Sequence, residues 1–292
     1  MSQVFTGAGV ALITPFTSKN QIDYKALETV IENQVQGGMD YLVALGTTAE
    51  STTLTSEEKS NVIQCTKANS GKLPVVAGMG GNDTQAIINQ IKSTNLDGIG
   101  GLLIVTPYYN RPSQEGMFRH YSVIAKESPL PIILYNVPSR TGVNLEAETV
   151  VRLAEASDKI IAVKEASGIM SQIATIAKYT PENFTVISGD DVLALPTTTI
   201  GGKGVISVIA NALPSKVSTM IHSALAGNYS EATKIHFELT DLFKLIFKEG
   251  NPGGIKALMH IQGTIENELR LPLYKISDSA YNEIKEAYLK LK

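Results

Sequence analysis

Short apolar runs rich in β-branched residues alternate along this chain with longer segments whose apolar residues repeat at helical spacing. The apolar runs predict eight β-strands, over residues 9–14, 41–45, 74–78, 101–106, 131–136, 160–164, 184–188 and 204–209. The helical pattern predicts helices over residues 24–36, 56–69, 83–95, 113–128, 145–156, 169–179 and 214–226. Four residues at predicted helix starts can accept free backbone N–H bonds there, namely Asp23, Ser56, Asp83 and Ser113.

The order of these elements favours an α/β fold, a closed (β/α)8 TIM barrel. Residues 160–163 read Ile-Ile-Ala-Val, and such continuous apolar strands are typical of parallel strands covered by helices on their outer face. The alternative is an open doubly wound sheet, which normally carries a Gly-rich phosphate-binding turn after its first strand. Here that position reads Thr14-Pro15-Phe16, so we predict the barrel.

The pattern changes beyond Gly227. Residues 230–248, 254–267 and 277–290 all have helical periodicity, with no strand between them. We therefore divide the chain into a catalytic barrel, residues 1–227, and a C-terminal helical region, residues 228–292. We expect this region to pack on the outside of the barrel or to contact another subunit.

Composition excludes several classes of protein. The 292 residues carry 25 Lys and Arg against 28 Asp and Glu, a net charge of −3 that argues against a nucleic-acid surface. With 43% hydrophobic residues the chain is expected to be globular, and one cysteine, Cys65, favours a reducing compartment. The uncharged residues 1–18 lack a basic segment and are interrupted by Gly and Pro, so we expect no targeting or membrane segment and a cytoplasmic location.

Function in an eight-stranded barrel is expected at the C-terminal ends of the strands, where Lys164 stands out. Alternation along the strand places Lys164 with Ile160 and Ala162, facing into the barrel. Burial disfavours the ammonium form and leaves a free amine that can attack a ketone. The alternative interpretation is an ion pair with Glu165 or Asp190, or a surface lysine at the strand end whose ammonium group reaches solvent.

Other polar residues at strand ends fit the same chemistry. Tyr135 shares the inward parity of Ile133 and offers a phenol for proton transfer, although a tyrosine there can also be a packing residue. Thr47 and Thr48 lie in a Gly-flanked turn able to hold a carboxylate, or one that merely leads into a helix. Arg140 offers a forked donor for a second carboxylate, or a salt bridge to a nearby glutamate.

Metal and cofactor chemistry has little support in the sequence. Asp190 and Asp191 are adjacent and would point to opposite faces of a strand. No phosphate-binding loop or serine nucleophile motif occurs, and we predict neither a metal nor a cofactor. All four histidines fall in predicted helices without ligand spacing, namely His120, His222, His236 and His260.

Three segments and one lysine carry a resemblance to a known family. Residues 46–51 read Gly-Thr-Thr-Ala-Glu-Ser, residues 135–142 read Tyr-Asn-Val-Pro-Ser-Arg-Thr-Gly, and residues 204–208 read Gly-Val-Ile-Ser-Val. Together with Lys164 they resemble the dihydrodipicolinate synthase family, within the N-acetylneuraminate lyase superfamily of class I aldolases, over essentially the whole chain. This resemblance implies condensation of pyruvate with L-aspartate 4-semialdehyde to 4-hydroxy-tetrahydrodipicolinate, on the route to diaminopimelate and lysine.

The resemblance also implies roles for individual residues. Lys164 would form the imine with pyruvate, and a proton relay would consist of Tyr135, Thr47 and Tyr109, with Tyr109 reaching in from a neighbouring subunit of a homotetramer built from tight dimers. The implied substrate-binding residues are Thr48 through its backbone N–H, Arg140 for the aldehyde substrate's carboxylate, Ile206 through its carbonyl, and Gly189.

This chain departs from the family pattern in places. Ala49 stands where glycine is common, which requires only that its φ is not positive, and residues 251–254 read Asn-Pro-Gly-Gly in place of a more usual second proline. Members inhibited by lysine carry two histidines and a glutamate where this chain has Ser56, Lys59 and Ala86. A cationic Lys59 opposes an incoming ammonium, so we predict weak or absent lysine inhibition, although Asn82, Tyr108 and Ser51 still resemble the rest of that pocket.

Two alternatives stay open from the sequence. One is another pyruvate aldolase, such as an N-acetylneuraminate lyase or a keto-deoxy sugar acid aldolase, although these relatives generally lack an arginine at the position of Arg140. The other is a non-catalytic barrel that senses pyruvate or lysine, which would not need Lys164 and Tyr135 together.

Overall fold

The structure is a computed structural model and describes residues 5–291. Eight parallel strands close into a barrel in chain order, each paired with the next and β8 paired with β1. The strands are β1 (Gly7–Ala11), β2 (Tyr41–Ala44), β3 (Val75–Gly80), β4 (Gly101–Val105), β5 (Ile132–Asn136), β6 (Ile160–Glu165), β7 (Thr185–Ser188) and β8 (Gly204–Ser207). The predicted TIM barrel is confirmed.

Helices follow the strands and cover the barrel. They are α1 (Tyr24–Gln36), α2 (Ser56–Asn69), α3 (Thr84–Ser93), α4 (Gln114–Glu127), α5 (Pro138–Thr141), α6 (Ala147–Ala156), α7 (Met170–Tyr179), α8 (Ala194–Thr199) and α9 (Pro214–Leu225). Three helices come after them, α10 (Tyr229–Leu245), α11 (Gly253–Ile261) and α12 (Asp278–Leu289). The sequence did not predict α5 and α8, because helices of four and six residues are too short to show a periodic pattern. The predicted helix over 254–267 ends early, at Ile261, and Gly263 takes a φ of 76°.

Three of the four predicted helix caps are confirmed. The side chains of Asp23, Asp83 and Ser113 accept backbone N–H bonds at the starts of α1, α3 and α4. The prediction for Ser56 is wrong by one residue. Thr55 caps α2 instead, because its hydroxyl accepts from the N–H of Glu58 while the Glu58 carboxylate accepts from the N–H of Thr55.

Two apolar layers build the core. One fills the barrel interior with inward-facing side chains, among them Val43, Val76, Leu103, Ile133 and Ile187. The other lies between the strands and the helices and also includes Leu239, Leu258 and Ile284 of the last three helices. The C-terminal helices therefore share the outer core of the barrel, and the division at residue 227 stays a prediction. Within residues 5–291, no helix combines the length and hydropathy needed to cross a membrane.

A register shift between β5 and β6 decides which residues of β6 face inward. Ile132 is opposite Ile160, but Ile133 is opposite Ala162, so β6 carries one extra residue between these pairs. Ile160 consequently packs in the outer layer, and the prediction that it faces inward is wrong. Beyond the shift, Ala162 lies in the interior layer, and Tyr135 of β5 is opposite Lys164 of β6.

Candidate active site

A cavity of about 590 Å³ lies at the C-terminal ends of the strands. It is formed by the ends of β3, β4 and β5, the turn after β2, and residues from the C-terminal region, and its lining includes Thr47, Met79, Leu103, Tyr135, Arg140 and Asn251. A cavity therefore lies where the sequence predicts the site.

Lys164 lies beside Tyr135, next to this cavity. Its side chain is buried, with the residue 4% exposed, and its Nζ is 4.4 Å from the centroid of the Tyr135 ring. Among residues 5–291, no carboxylate makes an ion pair with Lys164, so the alternative ion pair with Glu165 or Asp190 is absent. An amine that is sheltered and free of a carboxylate partner is suited to nucleophilic attack.

A buried polar network on the outer side of the strands holds β5 and β6 together at this level. The Glu165 carboxylate accepts both from the Asn136 amide, at 3.0 and 3.1 Å, and from the N–H of Ser167 at 2.7 Å. Gln172 adds a fourth bond at 3.0 Å. Because Tyr135 and Lys164 immediately precede Asn136 and Glu165, this network fixes the register that brings phenol and amine together. The sequence pattern suggested Glu165 only as an ion-pair partner of Lys164 and indicated no role for Asn136, although each is a polar residue adjoining a candidate residue.

Gly189 lies against the stem of Lys164. A Cβ built at Gly189 would be 3.1 Å from Lys164 Cγ and 2.7 Å from the Cβ of Ala166. Only glycine leaves the lysine room, so the structure shows a steric reason for Gly189 in addition to the predicted substrate contact, which stays a prediction.

The turn after β2 has a strained backbone at both ends. Leu45 has a φ of 58° and Glu50 a φ of 54°, values that side-chain-bearing residues seldom adopt. Between them, Thr47 and Thr48 begin a short 3₁₀ turn, Thr47–Ala49, whose right-handed backbone suits alanine at Ala49. Thr48 is 2% exposed, and its hydroxyl oxygen accepts from the side-chain amide of Asn251 at 3.0 Å.

Arg140 and Tyr109 face more open surroundings. The Arg140 guanidinium donates to the Asn251 carbonyl at 3.5 Å and makes no salt bridge to a carboxylate among the residues described. It lines the cavity, so its donors are available there. Tyr109 is 88% exposed and has a φ of 74°, and it is not part of the cavity wall of its own chain.

Ile206 ends the interior layer on β8 and is fully buried. Asp191 holds the chain just beyond the end of β8, because its carboxylate accepts from the N–H groups of Val208 and Ile209 at 3.0 Å each. Burial raises the pKa of Asp191 above its ordinary value. Asp191 therefore has a structural contact here that sequence reasoning missed.

The residues that the resemblance assigns to a lysine pocket separate into two groups. Ser51, Lys59 and Tyr108 line the same cavity as two of the candidate catalytic residues, Thr47 and Tyr135. Ser56 and Ala86 are exposed in the first turns of α2 and α3. Lys59 is thus the one of the three altered positions that contributes to the cavity wall.

The histidines have local partners or packing roles. His120 is buried, its Nδ1 lies 2.8 Å from the hydroxyl of Thr84, and burial lowers its pKa to about 4. His222 and His260 lie 2.7 and 2.8 Å from Asp40 and from the hydroxyl of Tyr281. Within the described part of the chain, no three metal-ligating side chains come together.

Comparison with known proteins agrees with this arrangement. The model of the dihydrodipicolinate synthetase family matches residues 4–291. The 4-hydroxy-tetrahydrodipicolinate synthase of Parabacteroides distasonis is 51% identical over 98% of this chain and 96% of its own length. The crystal structure of dihydrodipicolinate synthase from Aquifex aeolicus superposes with a TM-score of 0.94 at 42% identity, covering 98% of both chains.

A third relative carries a ligand. The Acinetobacter baumannii dihydrodipicolinate synthase, solved in complex with pyruvate, superposes with a TM-score of 0.94 at 36% identity and 98% coverage of both chains. Sequence and fold thus match these relatives over nearly their full length. The chain belongs to the dihydrodipicolinate synthetase family.

Proposed function

We propose that the chain is a 4-hydroxy-tetrahydrodipicolinate synthase that condenses pyruvate, held as an imine on Lys164, with L-aspartate 4-semialdehyde. One observation supports the role of Lys164, namely a buried amine with no carboxylate partner among residues 5–291, which lies 4.4 Å from the Tyr135 ring at the end of a barrel strand. The family and its 4-hydroxy-tetrahydrodipicolinate synthase members support the reaction.

The chemistry follows from the amine. Lys164 Nζ adds to C2 of pyruvate, and loss of water leaves an imine. The protonated imine withdraws electrons from the adjacent methyl group, which loses a proton to give an enamine. The enamine carbon then bonds to the aldehyde carbon of the second substrate. The amino group of that substrate displaces Lys164 as the ring closes, which restores the free amine.

Each of these steps moves protons, and we assign them to a relay of Tyr135, Thr47 and Tyr109. Tyr135 is adjacent to the amine, and Thr47 lines the same cavity. Tyr109 is exposed on its own chain, and this supports its action in the site of a neighbouring subunit. The assembly we propose is a homotetramer of two tight dimers.

The hydrogen-bonding groups at this end of the barrel suit the binding of two acidic substrates, pyruvate and aspartate semialdehyde. The backbone N–H of Thr48 and the carbonyl of Ile206 would hold pyruvate, with Gly189 beside the imine. Arg140, which has no carboxylate partner in the described chain, would receive the carboxylate of aspartate semialdehyde. A charged cavity wall of this kind suits a small acidic aldehyde better than the polyol chain of a sugar acid.

Location and regulation belong to the same proposal. We place the enzyme in the cytoplasm, where its single cysteine would stay reduced. Lysine inhibition would be weak or absent, because Lys59 lines the cavity and Ala86 supplies no carboxylate.

The substrate assignment is tested by comparing two reactions of the purified enzyme. Condensation of pyruvate with aspartate semialdehyde, followed through a coupled reductase, is expected to be far faster than pyruvate release from N-acetylneuraminate or a keto-deoxy sugar acid. A preference for the sugar acid would reverse the assignment, and absence of both activities in folded protein would favour a sensor.

A further inference from the structure

A fully enclosed ion pair joins the C-terminal region to the turn after β2. Lys256 of α11 donates to the carboxylate of Glu50, and both side chains have 0% exposure. Enclosing two charges away from water is costly unless the geometry and the remaining hydrogen bonds compensate. A contact of this kind between residues 206 positions apart therefore calls for a specific reason.

Both partners are fully engaged. The Lys256 ammonium also donates to the Glu268 carbonyl at 2.9 Å and lies 4.3 Å from the centroid of the Phe16 ring. The second carboxylate oxygen of Glu50 accepts from the N–H of Arg270 at 3.0 Å. Desolvation lowers the pKa of Lys256 below its ordinary value, and the adjacent Glu50 carboxylate opposes this shift. These contacts fix the positions of both side chains, so the ion pair joins α11 firmly to Glu50.

Through this ion pair, Lys256 holds the turn after β2 at Glu50. Its φ of 54° is a strained conformation that surrounding contacts must hold in place. Its N–H donates to the Thr47 carbonyl at 3.2 Å, and its carbonyl accepts from the N–H and hydroxyl of Thr53 at 2.9 Å each. The backbone that carries Thr47 and Thr48 is therefore closed by the residue that Lys256 holds.

A second contact from the same region meets the turn two residues earlier. The Asn251 amide donates to the Thr48 hydroxyl at 3.0 Å, and Asn251 is itself buried. Asn251, just before α11, therefore contacts the turn at Thr48, and Lys256, within α11, contacts it at Glu50.

We propose that Lys256 is a positioning residue for the reaction, which through Glu50 holds the turn at residues 46–51 in the conformation that binds the pyruvate carboxylate. The inference rests on the proposed function, because it takes the N–H of Thr48 as the carboxylate donor. It assigns to the C-terminal helical region a part in building the pyruvate site in addition to covering the barrel.

The test measures pyruvate binding apart from the second substrate. Borohydride reduction at a series of pyruvate concentrations gives the concentration at which half of the protein is trapped as the reduced adduct. In Lys256→Met, which keeps the length of the side chain without the charge, this half-saturation is expected to rise at least about tenfold, since small misplacements of a binding group have effects of this size. The KM for aspartate semialdehyde is expected to change much less.

Two further variants keep the test decisive. Lys256→Met leaves Glu50 buried without its cation, which is strongly destabilising, whereas Glu50→Gln with Lys256→Met removes both charges. The double variant is expected to fold and to keep the raised half-saturation. Lys248→Met is the matched control, because it removes an exposed ion pair with Glu283 in the same region and should change the half-saturation by less than about twofold.

The outcomes separate the inference from the function. If the wild-type protein is trapped and the folded double variant has the wild-type half-saturation, the pair serves stability alone and the inference is overturned. If pyruvate does not trap the wild-type protein at all, the proposed function itself fails.

Discussion

Lys164, the proposed nucleophile, is bordered by residues on two sides. The Tyr135 ring lies 4.4 Å from its amine, and Gly189 leaves space for its stem. Period-two alternation predicted the inward direction of both Lys164 and Tyr135 from sequence. It failed at Ile160, because one extra residue in β6 shifts the register, and a single-residue bulge leaves no mark in a run of apolar residues.

The proton-transfer role of Tyr135 predicts a clear effect of Tyr135→Phe. The ring remains to pack against Lys164, but the phenol is lost, so kcat is expected to fall by about 10²-fold or more while the melting temperature stays near that of the wild type. Steady-state kinetics with both substrates measures this. A variant with wild-type kcat would remove Tyr135 from the relay.

At the scale of secondary-structure elements, contacts at turns and helix starts hold the candidate site in place. The box that caps α2 is joined to the C-terminal region, because Arg270 donates to both oxygens of the Glu58 carboxylate, at 2.6 and 2.8 Å. A polar residue at a helix start is readable from sequence, which is why three of four caps were predicted correctly. The choice of Thr55 over Ser56 depends on the Glu58 geometry, and the Arg270 partner lies 212 residues away.

The Glu58 contacts predict a pH dependence of stability. Hydrogen bonds from Arg270, and further ones from Thr55, hold the pKa of Glu58 at about 2, below its ordinary value of 4.5. A carboxyl group whose folded pKa is lowered contributes stability above pH 4.5 and loses it as the pH falls toward 2. Wild type is therefore expected to exceed Glu58→Gln in unfolding free energy at pH 7, with the difference shrinking below pH 4.5.

Urea unfolding across this pH range measures the difference. Glu57→Gln is the control, since Glu57 is exposed in the same helical turn and makes no ion pair among residues 5–291. A Glu58→Gln difference that is constant between pH 7 and pH 3 would contradict the assigned role of Arg270.

At the scale of the whole molecule, contacts between residues far apart in the sequence complete the candidate site. Asn251 and Lys256 reach the turn after β2 from the C-terminal region, whereas Tyr109 is 88% exposed and is not part of the cavity wall of its own chain. The strand and helix pattern predicted the barrel because each unit carries its own local signal. Contacts across about 200 residues have no such signal, so the part of the C-terminal region in the site appeared only in the structure.

The proposed sharing of Tyr109 between subunits predicts complementation. Tyr109→Phe and Lys164→Met should each be strongly impaired alone. In a random mixture, half of the dimers hold one chain of each kind, and one of the two sites in such a dimer pairs a native Lys164 with a native Tyr109, so about a quarter of full activity is expected. Mixing after mild dissociation and assaying the reassembled protein measures this, and activity no greater than that of the separate variants would place Tyr109 in its own chain's site.

The position of Lys59 in the cavity wall predicts how far lysine inhibits the enzyme. Lys59 contributes a cation to the wall, and Ala86 is exposed without a carboxylate to offer. Rates measured with millimolar L-lysine are therefore expected to stay within about twofold of the uninhibited rate. Strong inhibition would show that the remaining residues, Ser51 and Tyr108 among them, suffice to bind it.

Imine formation on Lys164 is the central claim, and one measurement tests it most directly. The protein is incubated with pyruvate, reduced with borohydride, digested and mapped by mass spectrometry. We predict one reduced pyruvate adduct, confined to the peptide containing Lys164, dependent on both reagents and absent from Lys164→Met. Folded protein that forms no adduct, or that carries it on another lysine such as Lys256, would contradict the account.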